Sequence, residues 1–450
     1  MDAIGLIPDF GNLAFTVLAF LGALSIIVAV HEYGHYLVGR WSGIHAEVFS
    51  LGFGPIIYSR VDRHGTRWQL AAVPLGGYVR FLGDADAASA TTDDGFLDHL
   101  VKAEREKELR RSMYGAPLWA RSATVAAGPV FNFIMAALVF AGVFFSQGKA
   151  IEPPTVGELV ALPAGQAGLE PGDTILAVEG IATPKYGAFH DTLSKIEVTA
   201  SVTYTVRRDG AETEVEGVWP YPPIVDSVQP GTAAMDAGLQ SGDVILSIDG
   251  TPIAAFKQLQ ETVLASEGRE LALEVWRQGE TLDMALAPRR TDLPLPGGGF
   301  ETRWLLGLTG GFLFVPATEP IGPVEALGNG ARQVWVVATS SLSALYHMVT
   351  GAISSCNLRG PIGIAETSGE VASQGLAEFI WFIAVLSTAI GLMNLFPIPV
   401  LDGGHLVFHA WEATTGRPPS ERVLRYLMGG GLALILTLMV FALSNDLFCP

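Results

Sequence analysis

Apolar and polar positions are distributed unevenly along this chain. Four runs, Leu13–Val30, Ala123–Phe145, Phe379–Leu401 and Tyr426–Leu443, contain no Lys, Arg, Asp or Glu. Each approaches or exceeds the roughly 20 residues a helix needs to cross a bilayer. One such run could be a buried core helix; four in one chain predict a polytopic membrane protein. The first is not read as a cleaved leader, because residues 1–12 hold no Lys or Arg and no small-residue cleavage pattern follows the run. A fifth stretch, Val324–Gly351, is apolar but carries Glu325, Arg332, Gln333 and many Ser/Thr. It predicts an amphipathic helix lying on a membrane surface.

Between the runs the pattern changes. Ile56–Val61 and Thr66–Val73 read as two strands joined at Arg63-His64-Gly65. Further on the chain repeats itself. Ala167-Gly168-Leu169-Glu170-Pro171-Gly172-Asp173-Thr174-Ile175-Leu176 matches Ala237-Gly238-Leu239-Gln240-Ser241-Gly242-Asp243-Val244-Ile245-Leu246 at an offset of 70 residues. Gly180 and Gly250 keep that offset, and each copy runs on to a hairpin signal, Arg208-Asp209-Gly210 or Arg277-Gln278-Gly279. The pattern predicts one small β domain used twice, with Gly for tight turns and an Asp-led turn into an apolar strand.

Charge orients these elements. The loop from Gly39 to Arg121 holds Arg40, Arg60, Arg63, Arg67, Arg80, Lys102, Arg105, Lys107, Arg110, Arg111 and Arg121, and the loop between the last two runs holds Arg417, Arg422 and Arg425. The excess of basic residues places both loops in the cytoplasm and both termini outside. The stretch Gln147–Glu378, with 28 of the 45 acidic residues and 13 of the 27 basic ones, falls outside as an acidic insert. Asp98–Arg111, dense in both signs, reads as a solvated cytoplasmic helix. A net charge of −18 argues against a nucleic-acid partner, whose phosphates would repel the chain. With 16% charged and 49% hydrophobic residues and a mean hydropathy of +0.38, neither a single soluble enzyme domain nor a disordered chain fits. The two cysteines, Cys356 and Cys449, have no metal-ligand spacing. A bridge between them requires both to face an oxidising compartment.

The chemistry begins at His31-Glu32-Tyr33-Gly34-His35. On a helix, His at i and i+4 share a face and can share one zinc, while Glu at i+1 can reach the attacking water as general base. The pattern directly continues an uncharged run, where ionisable groups are costly and functional by default. A catalytic zinc takes three protein ligands and keeps one position open. Asp402, in Asn394-Leu395-Phe396-Pro397-Ile398-Pro399-Val400-Leu401-Asp402-Gly403-Gly404-His405, is the strongest candidate for the third, because the first and third runs cross in the same direction and end at similar depth. His405 stays open as a rival by spacing alone.

A buried H-E-x-x-H, a distant N-x-x-P-x-P-x-L-D-G and a repeated A-G-L-x-x-G-D-x-I-L between them resemble the site-2 protease family of intramembrane zinc metalloproteases, and within it the bacterial sigma-E-regulating branch. The repeat resembles PDZ domains of bacterial envelope proteases. Gly52-Phe53-Gly54-Pro55, Pro74-Leu75-Gly76-Gly77-Tyr78 and Ala127-Gly128-Pro129-Val130-Phe131-Asn132 extend the likeness over nearly the whole chain. The resemblance implies a polytopic α-helical membrane protein with four transmembrane helices, a membrane-re-entrant β-hairpin and two tandem periplasmic PDZ domains. Its expected parts are 1–38, with the first transmembrane helix and H-E-x-x-H; 39–121, a cytoplasmic loop with the hairpin; 122–146, the second helix; and 153–220 and 221–290, the PDZ pair. A periplasmic linker with the amphipathic helix follows at 291–378, then the third helix with L-D-G at 379–411 and the fourth at 425–444.

It further implies Zn2+ held by His31, His35 and Asp402, Glu32 as the catalytic base, and substrate binding by Asn394, with Pro397 and Pro399 freeing backbone carbonyls beside the site. The implied substrates are single-span membrane proteins, an anti-sigma factor and leftover signal peptides, cut within the lipid bilayer of the inner membrane after an upstream site-1 type protease has acted. Two other classes remain open at this stage: a PDZ-bearing membrane scaffold with a structural zinc closed by a fourth ligand such as His405, and an ion transporter using intramembrane His and Asp.

Overall fold

The computed structural model describes residues 10–84, 108–163, 168–199, 201–295 and 299–449. Of the charge-dense Asp98–Arg111 stretch only 108–111 are described, and they are helical; the remainder lies outside the described residues. Along the chain come helix α1 (Phe10–Trp41), strands β1 (Ala46–Val61) and β2 (Arg67–Phe81), and helix α2 (Leu118–Gln147). A strand-rich stretch follows, containing the short helices α3 (Tyr186–Lys195) and α4 (Phe256–Ala265). The chain then forms α5 (Pro323–Val349), α6 (Pro361–Gln374), α7 (Leu376–Asn394), α8 (Asp402–Thr415) and α9 (Glu421–Phe448). Two units result, one of them the strand-rich part from Phe144 to Pro323 with His347–Ser354, the other everything else.

In the helical unit, α1, α2, α7 and α9 are long and apolar enough to cross a membrane. Leu18, Ile26, Leu138 and Val440 are exposed on them. Large apolar side chains left exposed along such helices are natural beside lipid tails, which are as apolar as Leu. The inner faces mix apolar packing with polar contacts. Ala23 and Ile27 of α1 and Ile383 of α7 form a buried cluster, and Phe140 of α2 meets Trp381 of α7 edge-on at 4.6 Å. Ser387 of α7 donates to the Asn132 carbonyl of α2 at 3.0 Å. Without a hydrophobic drive between helices in lipid, such close backbone approach and interhelical hydrogen bonds hold the bundle together.

The third apolar run is not one helix. α7 stops at Asn394, and α8 starts at Asp402, so the helix expected over 379–411 is two helices joined by a bend. Pro397 and Pro399 lack the N–H that would continue the ladder. Gly403 and Gly404 let α8 start against the Leu395, Phe396 and Ile398 carbonyls, where a Cβ would collide.

The hairpin is also larger than the sequence pattern suggests. β1 and β2 are 16 and 15 residues long, and each bends over. The outer halves pair Tyr58 with Leu70 and Val61 with Arg67, while the first half of β1 pairs both with the start of β2 (Phe49 with Trp68) and with its end (Phe49 with Val79). Four short ribbons therefore come from two strands. Gly52 and Gly54, at φ +88° and +83°, make the bend in β1.

Asp62 fastens the hairpin tip. Its carboxylate accepts from the backbone N–H of His64 (2.8 Å) and Thr66 (3.0 Å), from Trp68 Nε1 (3.0 Å) and from Tyr36 of α1 (3.1 Å). Desolvation pushes this carboxyl up, but the four hydrogen bonds outweigh it and lower its pKa to about 2. A depressed carboxylate contributes stability that is present above its unfolded value, near 3.9, and is lost as pH falls toward 2. The melting temperature of Asp62→Asn is therefore expected to lie below that of the wild type at pH 7, with the gap narrowing toward pH 3. A gap independent of pH would remove the carboxylate's charge from the explanation.

Cys356 and Cys449 are joined by a disulfide across 93 residues. The bridge ties the turn before α6 to the end of α9. Next to it Asp446 accepts from the N–H groups of Gly360 (2.7 Å) and Ile362 (3.1 Å), capping α6 from another helix. Asn445 donates to the Ser355 and Leu358 carbonyls. A disulfide typically contributes about 2–4 kcal/mol in soluble proteins. Denatured, unreduced protein is expected to take up no thiol-reactive polyethylene glycol, and two adducts after reduction. Two adducts without reduction would mean that both thiols sit in a reducing compartment.

In the strand-rich unit two modules share one plan. In the first the strand order is Ile181–Ala182, Thr174–Val178, Ser201–Arg208, Ala211–Val218; in the second it is Thr251–Pro252, Val244–Ile248, Leu271–Arg277, Glu280–Leu286. α3 and α4 take the same place in each, burying Phe189 and Leu193 in one and Leu259 and Val263 in the other. The repeated Asp explains the repeated sequence. Arg208 clamps Asp173 through two bonds of 2.8 and 2.6 Å, and Arg277 clamps Asp243 through two of 2.6 Å. Burial pushes the Asp173 carboxyl up, but Arg208 and the Glu170 N–H hold it below its usual range. The expected boundaries at 220 and 290 are too narrow. Phe314–Pro316 returns to pair with Val156–Leu159 of the first module, and Leu308–Gly310 with Val225–Val228 of the second. The stretch after 290, expected as a linker, thus supplies a strand to each.

Candidate metal centre

α1 runs unbroken from the first apolar run through H-E-x-x-H, so His31 and His35 lie one turn apart on one face. Their Nε2 atoms are 3.2 Å apart. Asp402, the first residue of α8, points Oδ2 at both, 3.2 Å from His31 Nε2 and 3.5 Å from His35 Nε2. Zinc bonds of 2.0–2.1 Å in tetrahedral geometry separate neighbouring ligand atoms by about 3.3 Å. The triangle of donor atoms has that edge.

The donor set fits a cation on a second ground. Asp402 Oδ2 is buried and receives no well-directed N–H or O–H from the described residues. A buried, unpaired carboxylate oxygen is costly unless a positive charge faces it. His35 Nδ1–H donates to the Thr124 carbonyl of α2 at 2.8 Å, which leaves the Nε2 lone pair free to face the same point.

Backbone approach makes room for this cluster. A Cβ on Gly128 of α2 would collide with His35 Nε2 and stand 2.8 Å from His31 Cε1. A Cβ on Gly34 would come within 2.6 Å of the Ala127 carbonyl. The two glycines let α1 and α2 close on each other at the histidines. Glu32 leans the other way, with its Cγ 3.0 Å from where a Gly77 side chain on β2 would begin. It lies within electrostatic reach of His31, His35 and Asp402.

The other expected residues sit around the bend. Asn394 ends α7, and its amide donates to the Ile390 carbonyl of its own helix at 3.1 Å. Pro397 lies within the bend, and Pro399 faces Gly431 of α9, where an added Cβ would stand 3.0 Å from the proline ring. His405, one turn beyond Asp402, is not part of the His31, His35 and Asp402 group. Three donors with no fourth in that group, among the described residues, is the ligand count of an open, catalytic site.

A model of peptidase family M50 matches residues 19–438. The chain belongs to peptidase family M50. This M50 peptidase is accordingly a zinc-dependent metalloprotease. It is 39% identical over 443 residues to a protein of Rhizobium meliloti (strain 1021) named as a zinc metalloprotease, covering 97% of each. It is 34% identical over 458 residues to the regulator of sigma-E protease RseP of Escherichia coli (strain K12), covering 95% of this chain and 97% of that one. A Brucella suis protein named as a zinc metalloprotease is 32% identical over 441 residues.

Sequence reasoning quoted Ala127-Gly128-Pro129-Val130-Phe131-Asn132 for its likeness and gave it no role. The structure puts Thr124, Gly128 and Asn132, spaced by four, on the face of α2 that meets His31 and His35. A polar side chain and a glycine at that spacing inside an uncharged run were the available signal, since a polar group in lipid needs a partner.

Proposed function

We propose that this M50 peptidase cuts single-span membrane proteins within or next to their transmembrane segment. The observation that carries this reading is the meeting of His31, His35 and Asp402 on helices that belong to, or directly continue, membrane-spanning segments. In the proposal these three hold zinc, which when bound polarises the scissile carbonyl and the attacking water. Glu32 accepts a proton from that water and returns it to the leaving amide nitrogen.

A helical substrate must unwind before its peptide bonds become accessible, and its freed N–H and C=O groups then need partners. The β1–β2 sheet offers edges beside Glu32, in the manner of strand addition. The bend at Pro397 and Pro399 breaks the helical ladder next to Asp402 and offers carbonyls, and Asn394 stands at its start. The two modules of the strand-rich unit are read as PDZ domains that exclude bulky outer domains from the membrane site. On this reading a site-1 type protease trims the substrate first. The relative named regulator of sigma-E protease makes an anti-sigma factor the expected substrate, with leftover signal peptides as a second class. The protein is placed in the bacterial inner membrane with the paired modules periplasmic. The disulfide, which needs an oxidising compartment, supports the same side for the end of α9.

The reading is tested by incubating purified full-length protein with tagged single-span substrates, with intact and with trimmed outer domains, with and without chelator. Cleavage is expected for the trimmed forms, lost with chelator and restored by zinc. Deleting about 155–290 together with the returning strands is expected to admit the untrimmed forms. Cleavage that is indifferent to chelator would remove the metal mechanism, and a deletion that changes neither selectivity nor rate would remove the filter.

A further inference from the structure

Asn132 is completely buried in the middle of α2, in a run without charge, and its side chain lies against a metal-site histidine. The amide nitrogen stands 3.2 Å from His31 Nδ1. As oriented, that contact would make Nδ1 the acceptor and place the ring proton on Nε2, the atom that faces His35 and Asp402. The Asn132 side-chain oxygen meanwhile has no hydrogen-bond partner among the described residues. Oxygen and nitrogen of an amide are assigned from the hydrogen-bond network, since the two orientations are nearly isosteric. Exchanging them turns the buried oxygen into an acceptor of the His31 Nδ1–H, and the nitrogen takes the position the oxygen held.

The neighbouring histidine shows the same construction. His35 donates Nδ1–H to the Thr124 carbonyl, eight residues earlier on the same helix. The helices run antiparallel here, so that α2 can serve His35 with backbone and His31 with a side chain. Asn132 is itself fixed. Its carbonyl accepts from Ser387 of α7, and Gly391 of α7 leaves only 3.2 Å between its own Cβ position and the Asn132 Cβ.

We propose that Asn132 is a positioning residue for zinc: its side-chain oxygen holds His31 by the Nδ1–H, sets the ring orientation and keeps the Nε2 lone pair for the metal. The inference rests on His31, His35 and Asp402 being the zinc ligands. Outer partners of ligating histidines are worth about 10- to 100-fold in metal affinity.

The test is zinc affinity by chelator competition on full-length protein, beside cleavage rate, for the wild type, Asn132→Leu and Asn132→Asp. Leu keeps the bulk and removes the acceptor; Asp keeps an oxygen and removes the amide N–H groups. Zinc binding is expected to weaken about 10- to 100-fold in Asn132→Leu and to be rescued in Asn132→Asp. Should the Leu variant not fold, Asn132→Ala, which fits within the same space, is measured in its place and is expected to show the same loss. Unchanged zinc affinity in the Leu or Ala variant, or equal loss in the Asp variant, overturns the inference. So does loss of turnover in both with normal zinc affinity, which would make the amide a substrate contact. If the wild type itself binds no zinc, or if Asp402→Asn leaves its affinity unchanged, the ligand assignment fails instead, and the two failures are told apart.

Discussion

Glu32→Gln is expected to lower cleavage by about 10²–10⁴-fold while the zinc content of the purified protein stays that of the wild type. The substitution keeps the size of the side chain and much of its hydrogen bonding, so its packing beside Gly77 of β2 is retained. His31, His35 and Asp402 are untouched and remain within bonding distance of one ion. What is lost is the ability to take a proton from water. Rate measured alongside metal content separates a missing base from a missing site. Undiminished cleavage would require another base, and a parallel loss of zinc would make Glu32 a structural residue.

Asp402→Asn is expected to lose zinc and activity together. Two imidazoles alone leave the ion underligated, and a neutral amide oxygen is a far weaker third donor than a carboxylate. The negative charge also offsets part of the cost of holding a dication among apolar helices. The affinity loss should exceed the roughly 10- to 100-fold expected for an outer partner such as Asn132. His405→Ala is expected to keep most of both properties, because His405 stands outside the donor triangle. Elemental analysis of each variant checks the point. Loss in the His405 variant with retention in the Asp402 variant would move the ligand one turn along α8.

The helical frame was legible because it is written in local patterns. Uncharged runs give the spans, and i, i+4 spacing puts His31 and His35 on one face without reference to anything distant. Asp402 was legible through topology, since two runs crossing in the same direction return their ends to one depth. The repeat was legible as a β module, although its repeated Asp acts through an Arg some 35 residues later that short-range reading could only place in a hairpin. The rest depends on long-range pairing. Nothing local distinguishes a simple hairpin from strands that bend over and pair twice, as Phe49 does with Trp68 and Val79. Nor does Leu308–Gly310 or Phe314–Pro316 carry a sign of which module it completes. The break between α7 and α8 was foreshadowed by two prolines, but its position was fixed by Gly403 and Gly404 meeting backbone carbonyls. Asn132 remained unread because a single polar residue in a span has no meaning until its partner is known.

The most direct measurement is the position of the cut. A purified single-span substrate is incubated in proteoliposomes with zinc-loaded full-length protein, and both fragments are mapped by mass spectrometry, beside a chelated control and the Glu32→Gln variant. The account predicts one cleavage within or immediately beside the transmembrane segment, abolished by chelator, restored by zinc and missing with Glu32→Gln. Cleavage confined to the substrate's soluble portions, or cleavage that persists in the chelated and Glu32→Gln samples, would contradict it.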